Sequence, residues 1–496
     1  MSSTRHGGDE SALVAFKAKI SRHSGVLDSW NENSSYCTWE GVICSKRHRC
    51  RVVTLNLSSQ GLIGTISPAI GNLTFLRSLN LSINTLQGEI PASIGRLQRL
   101  SLRNNLLTGV IPSNISRCRS LRVMNIGSNT GLRGSIPAEI GNMLSLSALV
   151  LYNNSITGTI PPSLGNLSQL TMLSLGINYL EGSIPTGIGN NPYLNLLHLN
   201  SNNLSGLIPP SLYNLSSLNQ LYVSQNKLHG HLPSDLGKCF PSIQQIGIGE
   251  NRFTGALALS LTNLSRLQVL YAGVNSFTGV VPSELGRLKN LEVFVLDYNM
   301  FESNNMQEWG FAASLTNCTR LQILSIVRNR FAGKLPSSLA NLSTTLQWLR
   351  TASNYISGVI PLEIGNLASL EVFDVRENQL SGDIPASVGK LAQLYYLNLF
   401  SNSLSGCIPS SIGNLSDLSM LHASGNSLEG PIPPSIGKLS KLVGLELSSN
   451  KLTSLIPKEI MDIATLSISL DLSNNMLEGP LPLEVGNLLM RDINWF

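Results

Sequence analysis

One phrase decides the fold of this chain: Leu394-Tyr-Tyr-Leu-Asn-Leu-Phe-Ser-Asn402-Ser-Leu-Ser-Gly-Cys-Ile-Pro409. It reads L-x-x-L-x-L-x-x-N-x-L-x-G-x-I-P, and close variants recur along almost the whole sequence. The alternating leucines predict a short strand with one apolar face, because successive side chains of a strand point to opposite sides. A unit this short cannot bury that face alone, so neighbouring copies must stack on one another. The phrase therefore predicts a solenoid.

The asparagine at the ninth position recurs with a nearly constant spacing. Between Gln60, which replaces the first asparagine, and Asn475 there are eighteen copies and seventeen intervals, eleven of 24 residues and four of 25. This phrase and period are those of leucine-rich repeats. An asparagine amide both donates and accepts, so we expect each one to satisfy backbone groups that stacking removes from water. The predicted fold class is an α/β solenoid, a leucine-rich-repeat superhelix with a concave parallel β-sheet.

Two intervals depart from the rule. Asn84 and Asn105 are only 21 residues apart, and we expect the three missing residues to come from the start of the strand near Leu100. Asn299 and Asn329 are 30 residues apart, and the insertion carries the apolar side chains of Trp309, Phe311 and Leu315. We expect these side chains to pack on an adjoining face of the solenoid, since insertions between repeats form loops.

The ends of the chain differ from the repeats. Leu13, Phe16 and Ile20 have helical spacing and predict a short amphipathic helix over 9–21. Cys37 and Cys44 flank a tryptophan and are predicted to form a disulfide, which would staple a small cap over the apolar end. The predicted organisation is a disordered N-terminus over 1–8, an N-terminal cap over 9–50, eighteen repeats over 51–482, and a truncated repeat without strand pattern or C-terminal cap over 483–496.

Composition excludes several classes of function. Charged residues make up 13% of the chain and the net charge is +5, which does not indicate a nucleic-acid-binding protein. The most basic run, Lys46 to Arg51, is interpreted as a solvated loop. No stretch approaches 18 apolar residues, and no signal peptide follows Met1. The histidines are scattered and no metal-binding or catalytic motif is present, so we predict no cofactor, no metal and no enzymatic activity.

The repeats and the cap together resemble one family. The plant-type L-x-G-x-I-P ending and the phrase C-x-W-x-G-V-x-C at 37–44 are similar to the ectodomains of plant leucine-rich-repeat receptor kinases. The insertion over 305–318 resembles the subfamily that includes immune receptors for bacterial patterns. The resemblance implies an ectodomain on the extracellular side of the plasma membrane that binds a peptide or protein on its concave face and recruits a co-receptor kinase. It also implies a role in plant defence. No kinase motif occurs in the chain.

The outward strand positions indicate where a ligand would bind. They hold small residues in the first six repeats and larger ones from the seventh onward, and aromatic and arginine side chains are those that dominate interfaces. A self-paired, solvated face stays open as the alternative, because Arg350 and Asp374 occupy the same position of successive repeats. The candidate ligand-binding residues are His198, Tyr222, Tyr271, Asp297, Tyr298, Arg328, Trp348, Arg350, Asp374, Arg376, Tyr396, Asn398, Phe400 and His422.

Six of the seven predicted glycosylation sites fall on the segment opposite the strands, where a glycan has room, and the seventh lies in the N-terminal cap. Two other functions stay open: a soluble inhibitor of cell-wall-degrading enzymes, whose known members have fewer repeats, and a truncated receptor fragment that does not signal. Cys118, Cys239 and Cys318 are interpreted as small core fillers, and Cys50 and Cys407 as exposed thiols. The predicted glycosylation sites are Asn33, Asn72, Asn166, Asn214, Asn263, Asn341 and Asn414.

Overall fold

The structure is a computed structural model that describes residues 7–47, 50–94, 96–303 and 309–487, together with the backbone of Ile493–Asn494. The chain forms two compact units. Unit 1 comprises residues 1–230 with 239–243, and unit 2 comprises residues 231–238 with 244–496. Both are stacks of leucine-rich repeats, so the predicted fold class is confirmed.

Each repeat contributes one short inner strand, and within each unit successive inner strands pair in parallel register. The inner strands of unit 1 are Val42–Cys44, which is antiparallel to the next, then Val52–Asn56, Ser78–Asn80, Arg99–Ser101, Val123–Asn125, Ala148–Val150, Met172–Ser174, Leu196–His198 and Gln220–Tyr222. Those of unit 2 are Gln245–Gly247, Val269–Tyr271, Val293–Val295, Ile323–Ser325, Trp348–Arg350, Val372–Asp374, Tyr396–Asn398, Met420–His422, Gly444–Glu446, Ser469–Asp471 and Ile493–Asn494.

A second series of strands follows the ladder asparagines. In unit 1 these outer strands are Ile20–Arg22, Ile63–Thr65, Thr85–Glu89, Leu106–Val110, Gly131–Gly134, Ser155–Thr159, Tyr179–Gly182, Asn203–Gly206 and Lys227–Gly230. In unit 2 they are Arg252–Gly255, Ser276–Gly279, Met300–Ser303, Arg330–Lys334, Tyr355–Gly358, Gln379–Asp383, Ser403–Ser405, Glu429–Pro431, Lys451–Ser454 and Met476–Leu477.

Helical turns complete the coil of most repeats. The α-helices are Gly7–Lys17, Leu236–Cys239 and Gly310–Leu315. The 3-10 turns are Val26–Ser29, Tyr36–Thr38, Pro68–Asn72, Ser113–Arg117, Ala138–Asn142, Pro162–Asn166, Thr186–Asn190, Pro210–Asn214, Leu259–Asn263, Leu285–Arg287, Ser337–Asn341, Ile364–Asn366, Ala386–Lys390, Ser410–Asn414, Pro434–Lys438, Lys458–Ile460 and Leu483–Asn487. Among the described residues, none of these helices has the length and apolar character needed to cross a bilayer.

The core lies between the inner strands and the helical turns. Leu79 and Leu81 are fully buried, as the alternation of the phrase predicts. In unit 2 the core also contains a row of stacked rings from the outer strands. The ring centroids of Phe253 and Phe277 are 6.3 Å apart, and those of Phe277 and Phe301 are 6.1 Å apart. Aromatic contacts of this kind add to the free energy gained from area burial alone.

The ladder asparagines join neighbouring repeats, as predicted. The Asn129 side chain is fully buried, and its Nδ2 donates to the carbonyl of Ile126 in its own turn and to the carbonyl of Leu102 in the preceding repeat. Its Oδ1 accepts from the backbone N–H of Leu107, also in the preceding repeat. The same arrangement recurs at Asn178 and Asn354. Each amide therefore satisfies backbone groups that would otherwise be buried without partners.

The residue just before each ladder asparagine adopts a left-handed conformation. The φ values are positive even at the β-branched residues Ile83 (57°), Ile177 (51°) and Val274 (55°). This conformation turns the chain from the inner strand into the outer strand, and it is unfavourable for any residue other than glycine or asparagine. The turn is thus held by the ladder hydrogen bonds that follow it.

The cap helix differs from its prediction at both ends. The helix ends at Lys17, and Ile20–Arg22 is a strand antiparallel to Ile63–Thr65, so the predicted helix over 9–21 is too long. The carbonyl of Lys19 accepts from the backbone N–H of Thr65, and pairing with the first outer strand replaces a further helical turn. The helix also begins at Gly7, inside the segment predicted to be disordered, of which residues 1–6 lie outside the described residues.

The rest of the cap agrees with the sequence. Cys37 and Cys44 form the predicted disulfide. Trp30 and Trp39 stack with ring centroids 5.3 Å apart. The Asp9 side chain is 2% exposed, and its carboxylate accepts from the Arg51 guanidinium at 2.8 and 3.0 Å and from the backbone N–H of Val52. A buried carboxylate with these partners fixes the helix on the first repeat.

The short interval is located differently from its prediction. The strand Arg99–Ser101 is intact, and Leu100 pairs in register with Leu79 and Met124. The three missing residues come instead from the segment over 91–98, where the described residues contain no 3-10 turn. The retained strand keeps its parallel pairing with the inner strands on both sides.

The long interval packs as expected. Trp309 stacks on Phe311 with ring centroids 5.7 Å apart, and both rings contact Phe331 of the following outer strand. The indole N–H of Trp309 donates to the carbonyl of Ala332. Residues 304–308 of the insertion lie outside the described residues. At the other end, Ile493–Asn494 pairs in parallel with Leu470 and Asp471, where the sequence had indicated no strand.

Candidate ligand-binding site

The outward side chains of the inner strands form one surface in each unit, which we call the strand face. In unit 2 the parallel register places Arg350 between Ser325 and Asp374, and Asp374 between Arg350 and Asn398. Adjacent strands are about 4.8 Å apart, so side chains at paired positions lie within reach of one another. The repeat therefore brings residues that are about 24 positions apart in sequence into direct contact.

Four charged residues form the centre of this surface, and we call them the arginine–aspartate cluster: Asp297, Arg350, Asp374 and Arg376. Arg350 lies 3.8 Å from Asp297 and 3.9 Å from Asp374, and Arg376 lies 3.6 Å from Asp374. The Asp374 side chain is 1% exposed, whereas those of Arg350 and Arg376 are 30% and 31% exposed. The cluster is neutral overall, with its negative charges beneath and its positive charges toward solvent.

Burial sets the protonation behaviour of the two aspartates. It raises the pKa of Asp374 above its usual range, although Arg376 and Arg350 both act in the opposite direction. Burial also raises the pKa of Asp297, against hydrogen bonds from the Ser325 hydroxyl and the Val327 backbone N–H and against the charge of Arg350. In both carboxyl groups the cost of removing charge from water exceeds the attraction of the arginines.

The arginines retain hydrogen-bonding capacity. N–O separations of 3.6–3.9 Å are ion pairs that exceed the 2.7–3.2 Å range of N–H···O hydrogen bonds. Arg376 also contacts the Tyr396 hydroxyl at 3.4 Å. A guanidinium has five N–H donors in a planar fork, so both arginines can still donate to a carboxylate or carbonyl of a ligand.

An aromatic and polar group extends the cluster along the same strands. Tyr396 accepts at its hydroxyl from the Asn398 amide at 2.9 Å, and its ring lies 5.7 Å from that of His422. His422 Nδ1 lies 2.7 Å from Glu446 Oε2, and Glu446 also accepts from the Ser469 hydroxyl. Glu446 pairs in register with His422 and extends the group by one strand.

Other predicted residues lie at the borders of the unit 2 strand face. Tyr271 and Phe400 are each 40% exposed, and Trp348 is half-buried at the start of its strand. Tyr298 and Arg328 are not strand residues but occupy the left-handed turn positions, and the Arg328 guanidinium lies 5.3 Å from the Tyr298 ring centroid. A cation–π contact of this type orders two exposed side chains at the edge of the surface.

Two predicted residues belong to unit 1. The His198 ring meets the Tyr222 ring edge-on at a centroid distance of 4.9 Å, and His198 Nε2 lies 3.1 Å from Gln220 Oε1. Burial lowers the pKa of His198 and raises that of Tyr222. This pair is separate from the arginine–aspartate cluster of unit 2.

The predicted glycosylation sites and four of the five free thiols have the exposure that the sequence predicts, whereas Cys239 is less buried than a core filler. All seven glycosylation candidates are exposed, and six of them are the last residue of a 3-10 turn, as Asn72 and Asn414 illustrate. Cys118 and Cys318 are buried, Cys239 is half-buried, and Cys50 and Cys407 are exposed. Within the described residues, no group of three histidine, cysteine, aspartate or glutamate side chains could hold a metal ion.

Family comparisons agree with this architecture. The leucine rich repeat N-terminal domain matches residues 6–45. The Leucine Rich Repeat family matches ten segments, which are 75–97, 96–118, 145–167, 193–215, 217–239, 320–342, 369–391, 393–415, 417–439 and 468–488. No kinase domain lies within the matched regions.

Curated relatives are receptor-like kinases of plants. The chain is 59% identical over 367 residues to the LRR receptor-like serine/threonine-protein kinase EFR of Arabidopsis thaliana, which covers 73% of this chain and 36% of EFR. It is 45% identical over 85 residues to the receptor kinase-like protein Xa21 of Oryza sativa subsp. japonica, which covers 17% of this chain and 8% of Xa21. The chain thus spans about a third of EFR.

Solved structures show the same fold over nearly the whole chain. The plant peptide hormone receptor RGFR1, in complex with RGF2, superposes with a TM-score of 0.80 at 32% identity, covering 92% of this chain and 79% of RGFR1. The Arabidopsis receptor kinase HAESA, in complex with the peptide hormone IDA and the co-receptor SERK1, superposes with a TM-score of 0.73 at 28% identity. This superposition covers 97% of this chain and 92% of the HAESA chain. This chain therefore belongs to the plant leucine-rich-repeat receptor-like kinase family and corresponds to the ectodomain of its members.

Proposed function

We propose that this chain recognises an extracellular peptide or protein ligand on the strand face of unit 2, as part of a receptor in plant defence. The observation that carries the proposal is the arginine–aspartate cluster, in which a carboxylate that is 1% exposed holds two partly exposed guanidinium groups in place. Arginine with aromatic neighbours is the composition that protein interfaces favour at their centres.

The free-energy cost of burying the Asp374 carboxylate supports a role of the cluster beyond stability. A carboxylate whose burial raises its pKa does not stabilise the fold at neutral pH. Its partners gain order from it, because Arg350 and Arg376 are positioned before any ligand arrives. Less side-chain entropy is then lost on binding, which is the usual benefit of preorganisation. A self-paired face without a ligand would leave this cost unexplained.

Related structures support the class of ligand. RGFR1 and HAESA were solved in complex with peptide hormones, and HAESA also with a co-receptor. By analogy, this chain binds a peptide and then a co-receptor kinase. The defence assignment depends on the resemblance of the 305–318 insertion to the immune-receptor subfamily and on the similarity to EFR. Signalling would belong to the longer receptor, since this chain spans 36% of EFR.

The test is selection of a random linear-peptide phage library on the full chain, followed by titration calorimetry with the selected peptides. We expect Trp348→Ala, Arg350→Ala and Arg376→Ala each to weaken binding about tenfold or more, the range of interface hot spots. Arg252→Ala is the matched control, because Arg252 is exposed on an outer strand away from the strand face. Peptides whose affinity is unchanged by all three variants would contradict the assignment.

The competing function is tested in the same preparation. An inhibitor of cell-wall-degrading enzymes would form a complex with a fungal polygalacturonase, whereas a peptide receptor would not. Co-elution of the chain with polygalacturonase on a gel-filtration column, together with loss of pectin hydrolysis, would favour the inhibitor. A full-length transcript that encodes neither a membrane anchor nor a kinase would instead favour a non-signalling fragment.

A further inference from the structure

The positive charge of the chain is concentrated in one segment of unit 1. Residues 45–122 contain eleven of the 34 lysines and arginines but only one of the 29 acidic residues, Glu89. This segment therefore has a net charge of +10, while the whole chain has +5 and the remainder is net negative. The chain-wide net charge of +5 therefore does not reveal this local excess of positive charge.

Three of these arginines stand side by side at the start of successive inner strands. Arg77 directly precedes Ser78–Asn80, Arg99 begins Arg99–Ser101, and Arg122 directly precedes Val123–Asn125. The three strands pair in register, and the backbone N–H of Arg122 donates to the carbonyl of Gln98. The register places Arg99 opposite Ser78 and Val123, whereas Arg77 and Arg122 lie on either side of Gln98, one position earlier. The three arginines therefore occupy two adjacent positions of three neighbouring strands that are about 4.8 Å apart, and we call them the basic row.

The row borders a polar cavity. A cavity of about 390 Å³ is lined by Arg47, Arg77 and Arg99 together with Ser45, Ser78 and Gln98. Thr54 adds a hydroxyl and Val53 is the only apolar side chain of the lining, which contains no acidic group. A lining of guanidinium, hydroxyl and amide groups matches a ligand that carries both negative charges and hydroxyls.

These arginines differ from Arg51, which has a structural role. Arg51 is paired with the buried Asp9 at 2.8 Å. Arg47, Arg77, Arg99 and Arg122 are exposed, and none of them takes part in an ion pair between described residues. Clustered cations of one sign repel one another, and a polyanion that binds them relieves this repulsion.

We propose that the basic row of Arg77, Arg99 and Arg122, with the adjoining cavity, is a binding site for an acidic polysaccharide, a linear chain of carboxylated sugars. Single-stranded nucleic acid fits less well, because the cavity lining lacks the aromatic side chains on which bases stack. A peptide fits less well because Val53 is the only apolar side chain of the lining, so the cavity has no pocket for an apolar anchor residue. The site is distinct in its residues from the arginine–aspartate cluster, so it adds to the proposed function and does not depend on it.

The test is calorimetric titration of the full chain with oligogalacturonate and with the same oligomer fully methyl-esterified, which keeps the sugars and removes the charge. We expect binding of the first only, and an affinity that falls as salt is raised, since counterions are released. The triple variant Arg77→Gln, Arg99→Gln, Arg122→Gln should bind about tenfold more weakly. The corresponding triple change to lysine should retain most of the affinity.

The control removes three exposed cations elsewhere. Arg252→Gln, Arg287→Gln and Lys451→Gln change the net charge equally, and all three residues are exposed in unit 2. This variant should keep the wild-type affinity for oligogalacturonate, and thermal midpoints should confirm that both triple variants fold. Equal loss of affinity in the two variants, binding of the esterified oligomer, or tighter binding of duplex DNA than of oligogalacturonate would overturn the proposal.

Discussion

Asp374 and Arg350 occupy paired positions on adjacent strands, with 3.9 Å between the carboxylate Oδ2 and the guanidinium Nε, and only the arginine reaches solvent. The pair thus presents a positive charge to a ligand while its negative charge is hidden. Because burial raises the pKa of Asp374, the unfolded chain holds this carboxylate in its ionised form more readily than the folded protein does.

Asp374→Asn should preserve or increase stability at neutral pH. The folded protein binds more protons than the unfolded chain between the unfolded and the folded pKa of Asp374, so this group lowers stability as the pH rises through that window. The asparagine removes the penalty, and the gain should shrink between about pH 7 and about pH 3. Thermal midpoints across this range, with the exposed Asp383→Asn as control, measure it. A loss above about 1 kcal/mol at pH 7 would show that the ion pairs outweigh desolvation.

Asn129→Ala should destabilise unit 1 by about 2–4 kcal/mol, because several hydrogen bonds are lost and carbonyls remain buried without partners. The carbonyls of Leu102 and Ile126 and the N–H of Leu107 all lose their partner in this variant. Urea-induced unfolding followed by circular dichroism measures the change. Asn114→Ala, at an exposed position of a 3-10 turn, should leave the transition where it is. Equal shifts for both variants would show that the ladder amide contributes nothing specific.

Val274→Asn should stabilise unit 2 by about 1 kcal/mol, because asparagine tolerates the left-handed conformation that a β-branched residue resists. Val274 has a φ of 55° and is 45% exposed, so little apolar burial is lost. The reverse change, Asn104→Val, is made at an exposed residue with a φ of 53° and should lower the melting temperature. Two shifts of the same sign would contradict a conformational cause.

Thiol reactivity should divide the free cysteines into two groups. Cys50 and Cys407 are exposed and should react rapidly with an aromatic disulfide reagent near about pH 8. Burial raises the pKa of Cys118 and raises that of Cys318 to about 11, so these thiols should react far more slowly. The absorbance of the aromatic thiolate that is released from the reagent measures the reaction rates of the protein thiols. The double variant Cys50→Ser, Cys407→Ser should lose the rapid phase, and a rapid phase that persists after Cys239→Ser is added would place a core thiol at the surface.

The sequence predicts most of the fold because the structure repeats a local rule. The position of Asn129 in its phrase is enough to predict its burial and its bridging role. Prediction fails where the repeat is interrupted. The short interval between Asn84 and Asn105 indicates a deletion, but it does not show that the strand Arg99–Ser101 is retained. The end of the first helix at Lys17 depends on strand pairing with Ile63–Thr65, a contact across more than forty residues.

The candidate sites are harder to predict from the sequence than the fold is. Register alone predicts that Arg350 and Asp374 are neighbours, yet the depth of Asp374 follows from how the flanking arginines cover it. The sequence pattern predicts strand positions for Tyr298 and Arg328, but both are left-handed turn residues that follow the end of the strand by three positions. The sequence reveals the basic row only when charges are counted within a segment.

Each ladder asparagine joins its repeat to the preceding one by hydrogen bonds. The contacts between repeats are therefore confined to neighbours and are nearly the same at every step. Unequal recombination that duplicates or deletes one whole repeat breaks one set of these contacts and makes one equivalent set. A lineage can in this way change the distance between ligand-contacting strands in steps of one repeat while every other core contact is kept. Receptor genes of this architecture can diversify their ligands by length as well as by point substitution.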